Sequence, residues 1–247
     1  MRPLGSERLI VAALAAGVLI APVLTAAEEP THLQAEVPVS VSAAQSRCAP
    51  ALVKAGEACE VGAFGPAGTV EGHDFSWARY DFKPVRGDAL HPLPWSRIVI
   101  FEHLPAGALR PILISGDDPA FEYAKPVILH AGGRVVLHVP ASESGTGNFN
   151  RELLYAWVDD RWHDIDVASW LDELTHRLPK GLGVWKGVYP DYAAMTADTP
   201  LWREHDGPTC PEGGRAHIGL QWRGDRIAVG SLRIDKAGDC GEPLPHR

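Results

Sequence analysis

Three pairs of short apolar segments, each folded back across a two-residue turn signal, constrain this chain more than any other feature. The first runs Val127–Val139 around Gly132-Gly133. Two consecutive glycines between apolar segments predict a hairpin with a tight turn, since such turns need positive φ. Pairing across it sets Leu129 opposite Val136 and Ile128 opposite Leu137. Both faces are apolar, so this hairpin is expected at the centre of the fold, with His130 and His138 partly buried. The second runs Leu153–Asp166 around Asp159-Asp160 and sets Trp157 opposite Trp162, with Tyr155 and Leu153 on the same face. A cross-strand aromatic pair adds about 0.5–1 kcal/mol to a hairpin. The third runs His217–Ile234 around Gly224-Asp225. One of its faces reads Trp222, Ile227, Leu220, Val229, Ile218 and the other Arg223, Arg226, Gln221, Ala228, so one side is dry and one wet. The last two hairpins share W-x-x-D-R, at Trp157–Arg161 and Trp222–Arg226; two short matches do not make a repeat.

From Phe64 onward the chain is a series of short apolar segments separated by Gly, Pro and Asp, which extends the β reading to most of its length. One helix interrupts it. Asp166 is a good N-cap, Trp170, Leu171, Leu174 and Leu178 form a stripe at helical spacing, and Pro179 and Gly181 stop it. The expected fold is mainly β (α+β): an antiparallel sandwich or partly open barrel with one packed helix at about 167–178.

The two ends of the chain bear on where it works. Arg2 and Arg8, then the apolar run Leu9–Leu24, then Thr25-Ala26-Ala27, have the layout of a cleavable export signal. Leu9 to Ala27 is also nineteen residues, just long enough for an uncleaved anchor, but the Glu28-Glu29-Pro30 that follows favours cleavage. Residues 28–44 read as a flexible lead rich in Pro, Ala, Glu and Ser, turning helical near Ala43–Arg47, and 45–243 as a single disulfide-clipped β-rich domain. Four cysteines allow three pairings, and the local one, Cys48–Cys59 with Cys210–Cys240, is expected. Neither pair has C-x-x-C spacing, so structural disulfides outweigh a metal or redox site. Disulfides and an export signal together predict a periplasmic or secreted protein.

Removing residues 1–27 takes away Arg2, Arg8 and Glu7 and moves the formal charge from −8 to −9. An acidic chain is a poor partner for nucleic acid or an anionic bilayer, and no further apolar run is long enough to span one.

No motif specifies a reaction. Ser144–Asn150 resembles a phosphate-cradling loop, but lacks the Lys-Ser/Thr such a loop needs and precedes a strand; it reads as a β connection. Asp159, Asp160, His163, Asp164 and Asp166 crowd one stretch, yet the hairpin register points His163 and Asp164 to opposite faces. A polar hairpin tip and a helix cap explain them, so neither metal nor cofactor is expected. There is no G-x-S-x-G and no H-E-x-x-H. His163, Asp164 and His176 are the acid/base candidates if the chain is an enzyme. The stretch Lys180–Tyr192 is more pointed. Trp185, Lys186, Tyr189 and Tyr192, with Trp202 just beyond, lie in a Gly- and Pro-rich loop. Aromatic faces with nearby donors can stack on sugar rings or hold a peptide, and they can equally fill a core under a loop.

Five stretches carry a resemblance: G-T-G-N-F-N (145–150), I-D-V-A-S-W (165–170), L-P-K-G-L (178–182), K-G-V-Y-P-D-Y (186–192) and D-G-P-T-C-P-E-G-G-R-A (206–216). Over about residues 145–240 the chain resembles a group of secreted bacterial proteins with a C-C-P-x-G-G segment. Here Thr209 stands in place of the first of those two cysteines. The resemblance implies export and a compact module, and no activity.

The leading expectation is therefore an exported, non-enzymatic module that binds a cell-wall glycan, a peptidoglycan fragment or an envelope protein. An envelope-directed hydrolase is the alternative, and a structural or inhibitory secreted protein a further one. Binding requires Trp185, Tyr189 or Tyr192 exposed; hydrolysis requires a histidine hydrogen-bonded to a carboxylate in a cleft.

Overall fold

The computed structural model describes residues 31–33, 37–53, 57–83, 95–116, 121–143, 147 and 149–235. The expected signal segment, 1–27, lies outside them, as does Cys240. The fold is mostly β, built of curled antiparallel sheets with one substantial packed helix.

The first sheet begins with two short strands, β1 (Thr31–His32) and β2 (Val39–Ser40), followed by helix α1 (Val41–Ser46). Its body is β3 (Ala58–Val70), β4 (His73–Lys83), β5 (Trp95–His103) and β6 (Ala108–Ile114). The order is β1-β6-β5-β4-β3, with β2 also on β6. A small pair joins β7 (Phe121–Tyr123) to β10 (Ala141–Glu143). The second sheet holds β8 (Val127–Ala131), β9 (Arg134–Val139), β11 (Leu153–Val158) and β12 (Arg161–Ile165) in the order β12-β11-β9-β8. Helix α2 (Ala168–Arg177) leads into the third sheet: β13 (Leu182–Gly183), β14 (Tyr189–Asp191), β15 (Thr196–Arg203), β16 (Gly214–Arg223) and β17 (Arg226–Asp235). Here β13 and β14 both pair with β15, and β16 and β17 follow.

The hairpin registers are those expected: Leu129 faces Val136, Trp157 faces Trp162, and Trp222 faces Ile227. The turns take the conformation their residues allow, with positive φ at Gly132 and Gly133 and at Asp159 and Asp160. A bulge between Gly219 and Leu220 lets the Leu220 N–H donate to the Met195 carbonyl and breaks the simple alternation of β17. Register is regular from Arg226 to Val229, where the Asp166–Glu173 region lies along the free edge of β17; Ile227, Ala228 and Val229 are all buried there, although Ala228 falls on the face read as wet.

Sheet alternation sorts the side chains into three cores. On one side of the first sheet, Ala78, Tyr80, Phe82, Val99 and Phe101 pack against Ala44, Ala49 and Leu52. On its other side, Phe75, Trp77, Ile98, Ile100 and Leu113 meet Leu137, Val139, Tyr155 and Trp162 of the second sheet. The opposite face of that sheet, with Val136, Leu154, Ala156 and Ile165, meets Ile218, Leu220, Ile227 and Val229 of the third. The second sheet is thus packed on both faces, and β9 and β11 are its buried strands; β8 lies at the edge, with Val127–Leu129 half-buried and His130 exposed, where the hairpin reading expected a central, partly buried position.

Within segment 28–44, the described residues 31–33 and 37–44 supply β1, β2 and the start of α1. Ala44 is buried, and the Ala49 N–H donates to the Tyr80 hydroxyl at 3.0 Å. The disulfide Cys48–Cys59 fastens this region to the start of β3. Closing a loop of 11 residues stabilises by roughly 3 kcal/mol in the loop-entropy account. Cys210 is also disulfide-bonded, and the partner expected for it, Cys240, lies outside the described residues.

Helix α2 covers the third core with Trp170 and Leu174, both under 2% exposed. Asp166 caps it, its Oδ1 accepting from the N–H groups of Ala168 and Ser169 at 3.0 Å each. Glu173 then accepts the Val229 N–H at 3.1 Å, supplying a partner to a strand group beside the helix. Among the described residues no helix is long and apolar enough to cross a membrane.

Candidate functional site

The first and second sheets do not close on each other along their whole length. A cleft of about 530 Å³ opens between the outer part of β5–β6 and the edge strand β12. Its floor is apolar, with Phe75, Ile112, Leu113 and Trp162. Its walls carry Glu102 and Arg110 on one side and Trp157 with residues 160–164 on the other. Because β12 is an edge strand, residues from both of its faces reach the opening. His163 and Asp164 therefore line one cleft despite their opposite orientation in the strand.

Strand pairing builds the polar wall. Glu102 is the register partner of Arg110 on β6 and of Phe75 on β4, two residues from His73. Glu102 accepts a hydrogen bond from Arg110, and its Oε1 lies 2.8 Å from His73 Nδ1. Burial alone would raise the Glu102 pKa; the hydrogen bonds and charges of Arg110 and His73 outweigh it and hold the carboxyl below its ordinary value. On the opposite wall Arg161 Nε donates to His163 Nε2 at 3.2 Å. Trp157 stands in a ring cluster, 5.2 Å from His73, 5.5 Å from Phe75 and 5.0 Å from Trp162. Its Nε1–H donates to the Glu71 carboxylate at 2.8 Å, which ties the β11–β12 hairpin to the β3–β4 turn.

Of the acid/base candidates, His163 and Asp164 meet in the cleft; His176 sits exposed in the last turn of α2 and does not line it. His73, Glu102 and Arg110 were missed, because 29 and 8 residues separate the partners and no motif marks them. The readable signal is the turn Leu104–Gly107 between two apolar segments, which sets Glu102 opposite Arg110. A Ser–His contact also exists, Ser76 Oγ to His103 Nε2 at 2.7 Å. Ser76 is only 4% exposed and neither residue lines the cleft.

The aromatic loop is divided. Trp185 and Tyr189 are exposed, at 38% and 46%, and Lys186 is half-buried. Tyr192 and Trp202, expected beside them as ligand contacts, are each 2% exposed and belong to the interior. The reason for Trp202 is its place in β15, where it pairs with Gly183 and is covered by the stacked Trp185 ring at 6.1 Å. The reason for Tyr192 is a buried polar knot. Its hydroxyl donates to Glu152 at 2.8 Å, and His138 meets its ring edge at 5.1 Å. Burial raises the pKa of Glu152 and lowers that of His138 to about 4, so both favour their neutral forms.

Asn150 completes this knot. Its Oδ1 accepts the Val188 N–H and its Nδ2 donates to the Val188 carbonyl, both at 2.7 Å. One side-chain amide thereby satisfies both backbone groups of a loop residue, as a neighbouring strand would. The Gly187 N–H adds a bond to the Gly147 carbonyl at 2.9 Å. Two of the stretches that carry the resemblance, 145–150 and 186–192, are therefore joined in space. Asn150, in the stretch read as a β connection, is used for its amide.

Among the described residues no group of three or more His, Cys, Asp or Glu is arranged to hold a metal. No family model matches the chain, and neither a curated protein nor a solved structure matches it.

Proposed function

We propose that this chain is an exported, non-enzymatic module that binds a component of the cell envelope: a glycan, a peptidoglycan fragment or an envelope protein. The observation that carries this reading is the cleft between the first and second sheets, about 530 Å³ in volume, with an apolar floor and polar walls. That volume lies in the usual range of small-ligand sites, and the mixture of apolar surface with a few oriented polar groups is what such sites share. The exposed Trp185 and Tyr189 support a second contact surface on the third sheet. Export is supported by the apolar N-terminal run and by the Cys48–Cys59 disulfide, which favours an oxidising compartment.

A hydrolase is the second reading, favoured by one contact: His73 within 2.8 Å of Glu102 at the edge of the cleft. It ranks lower because Glu102 is held ionised by Arg110 and His73 together, which suits a carboxylate that orients its neighbours better than a proton donor.

Sedimentation of the mature protein with purified cell-wall sacculi separates the two. Co-sedimentation without released fragments is the expected result. Fragments in the supernatant would establish the hydrolase. Neither binding nor release would remove the wall as a target and turn the search to a protein partner.

A further inference from the structure

The chemistry of the cleft walls narrows the ligand class, given the reading above that the cleft is a ligand site. We propose that the cleft takes a neutral, hydroxyl-rich pyranose unit of a glycan, with Trp157 against the sugar ring and the Glu102–Arg110 pair against its hydroxyls.

Three observations support this. First, the least exposed charge of the walls is already matched. Glu102 is shared between Arg110 and His73, while the other charged lining residues, Asp160, Arg161 and Asp164, are exposed to water. A site built to hold an ion keeps a sheltered opposite charge for it, since burying an unpaired charge is costly. A matched Glu102 leaves no such sheltered surplus and favours a ligand without net charge.

Second, Glu102 and Arg110 are planar groups held side by side across paired strands. A carboxylate accepts hydrogen bonds and a guanidinium donates them. Glu102 and Arg110 are register partners, so an acceptor and a donor lie next to each other on adjacent strands. Neighbouring hydroxyls on a sugar ring need that combination, because each hydroxyl both gives and takes a hydrogen bond. Their mutual contact also fixes both side chains before a ligand arrives, which lowers the ordering cost of binding.

Third, the indole N–H of Trp157 is already committed to Glu71. What the ring still offers the cleft is its hydrocarbon and π surface. That surface suits the C–H groups of a pyranose rather than a further hydrogen bond. The apolar floor of Phe75, Ile112 and Leu113 continues it.

Isothermal titration calorimetry with chitotetraose and cellotetraose, both uncharged, tests the inference beside muramyl dipeptide, which carries a carboxylate. Saturable binding of at least one uncharged oligosaccharide is expected. Trp157→Ala should weaken it at least tenfold and Glu102→Gln by a similar factor, while Asp172→Asn on α2 leaves it unchanged. Because Trp157→Ala also loosens the hairpin, Trp157→Phe serves as a second variant; it retains a ring and should bind more tightly than the alanine form. Oligosaccharide binding that Trp157→Ala and Glu102→Gln leave intact would overturn the assignment to this cleft. Binding of muramyl dipeptide or sacculi without any uncharged oligosaccharide would overturn the ligand class and leave the envelope-binding reading standing. Silence from every ligand, sacculi included, would overturn the glycan assignment and remove the wall as a target.

Discussion

The hairpins β11–β12 and β16–β17 carry the same W-x-x-D-R signature and the same register, with Trp157 opposite Trp162 and Trp222 opposite Ile227. Their tryptophans end in different surroundings. Trp222 is locked onto backbone: its Nε1–H donates to the Ala131 carbonyl at 2.8 Å, and the Arg134 guanidinium lies 4.4 Å over its ring. Arg134 in turn donates to the Gly224 carbonyl, which binds the tip of one hairpin to that of another. Trp157 is held only through a side chain, the exposed Glu71, and borders open space. A shared local motif specified a hairpin with an inward aromatic. Whether that aromatic closes a core or lines a site depended on what the neighbouring sheet brought to it.

The largest test of this contrast removes each ring. Trp222→Ala should cost about 3 kcal/mol in urea unfolding, since it loses packing and leaves the Ala131 carbonyl without its partner. Trp157→Ala should cost no more than about half of that, while weakening oligosaccharide binding at least tenfold. Equal stability losses would erase the distinction between a closed hairpin and an open one.

Acid probes the closed side in another way. His138 and Glu152 both sit in the buried knot with Tyr192, not in the cleft. His138 is neutral in the fold, with its pKa lowered by burial to about 4 against an unfolded value near 6.5. The fold is unpenalised by His138 above about pH 6.5 and loses stability as the pH falls toward 4, the total loss reaching about 3 kcal/mol below that. Glu152 acts in the opposite sense. Its raised pKa means that its ionised form costs stability at high pH, a cost relieved as the pH falls through the folded-state value. His138→Phe should flatten unfolding free energy between pH 6.5 and 4, and Glu152→Gln should remove the opposing relief. A wild-type curve already flat in that window would place His138 in water.

A smaller effect is expected where Asn150 stands in for a strand. Asn150→Ala should cost about 2 kcal/mol, because both polar backbone groups of Val188 lose their partner. Hydrogen exchange should then rise in 186–192 and stay unchanged in β11–β12. Smaller still is the turn beneath Trp222. Gly132 has φ 52°, and a Cβ there would lie 3.0 Å from the Trp222 ring. Gly133, at φ 83°, faces open space. Gly132→Ala should therefore lower stability by about 1–2 kcal/mol and exceed Gly133→Ala. The reverse order would mean that Trp222 is not seated against that turn.

Much of the fold was legible because the β reading rests on local rules. Gly132-Gly133 and Asp159-Asp160 admit positive φ, and strict alternation then fixes which residues share a face. The helix was legible for a similar reason, since Asp166 and the Trp170/Leu174 stripe act within a few residues of each other. The candidate site was legible only in fragments. His163 and Asp164 were noticed for their composition, but their opposite orientations argued against a common site. Only the edge position of β12 lets both reach the cleft. Trp202 and Tyr192 were grouped with Trp185 and Tyr189 by proximity in sequence, although burial separates the two pairs.

The sequence by itself determined helix α2, the strands of the three hairpins and their registers. These follow from side-chain period and turn chemistry, which act over a few residues. The tertiary structure alone decided the wall His73–Glu102–Arg110, the Asn150–Val188 tether and the different fates of Trp157 and Trp222. Each is a contact between separate strands, hairpins or loops. Periodicity says that a side chain faces inward, and only the partner surface says whether it meets backbone, a carboxylate or an open cleft.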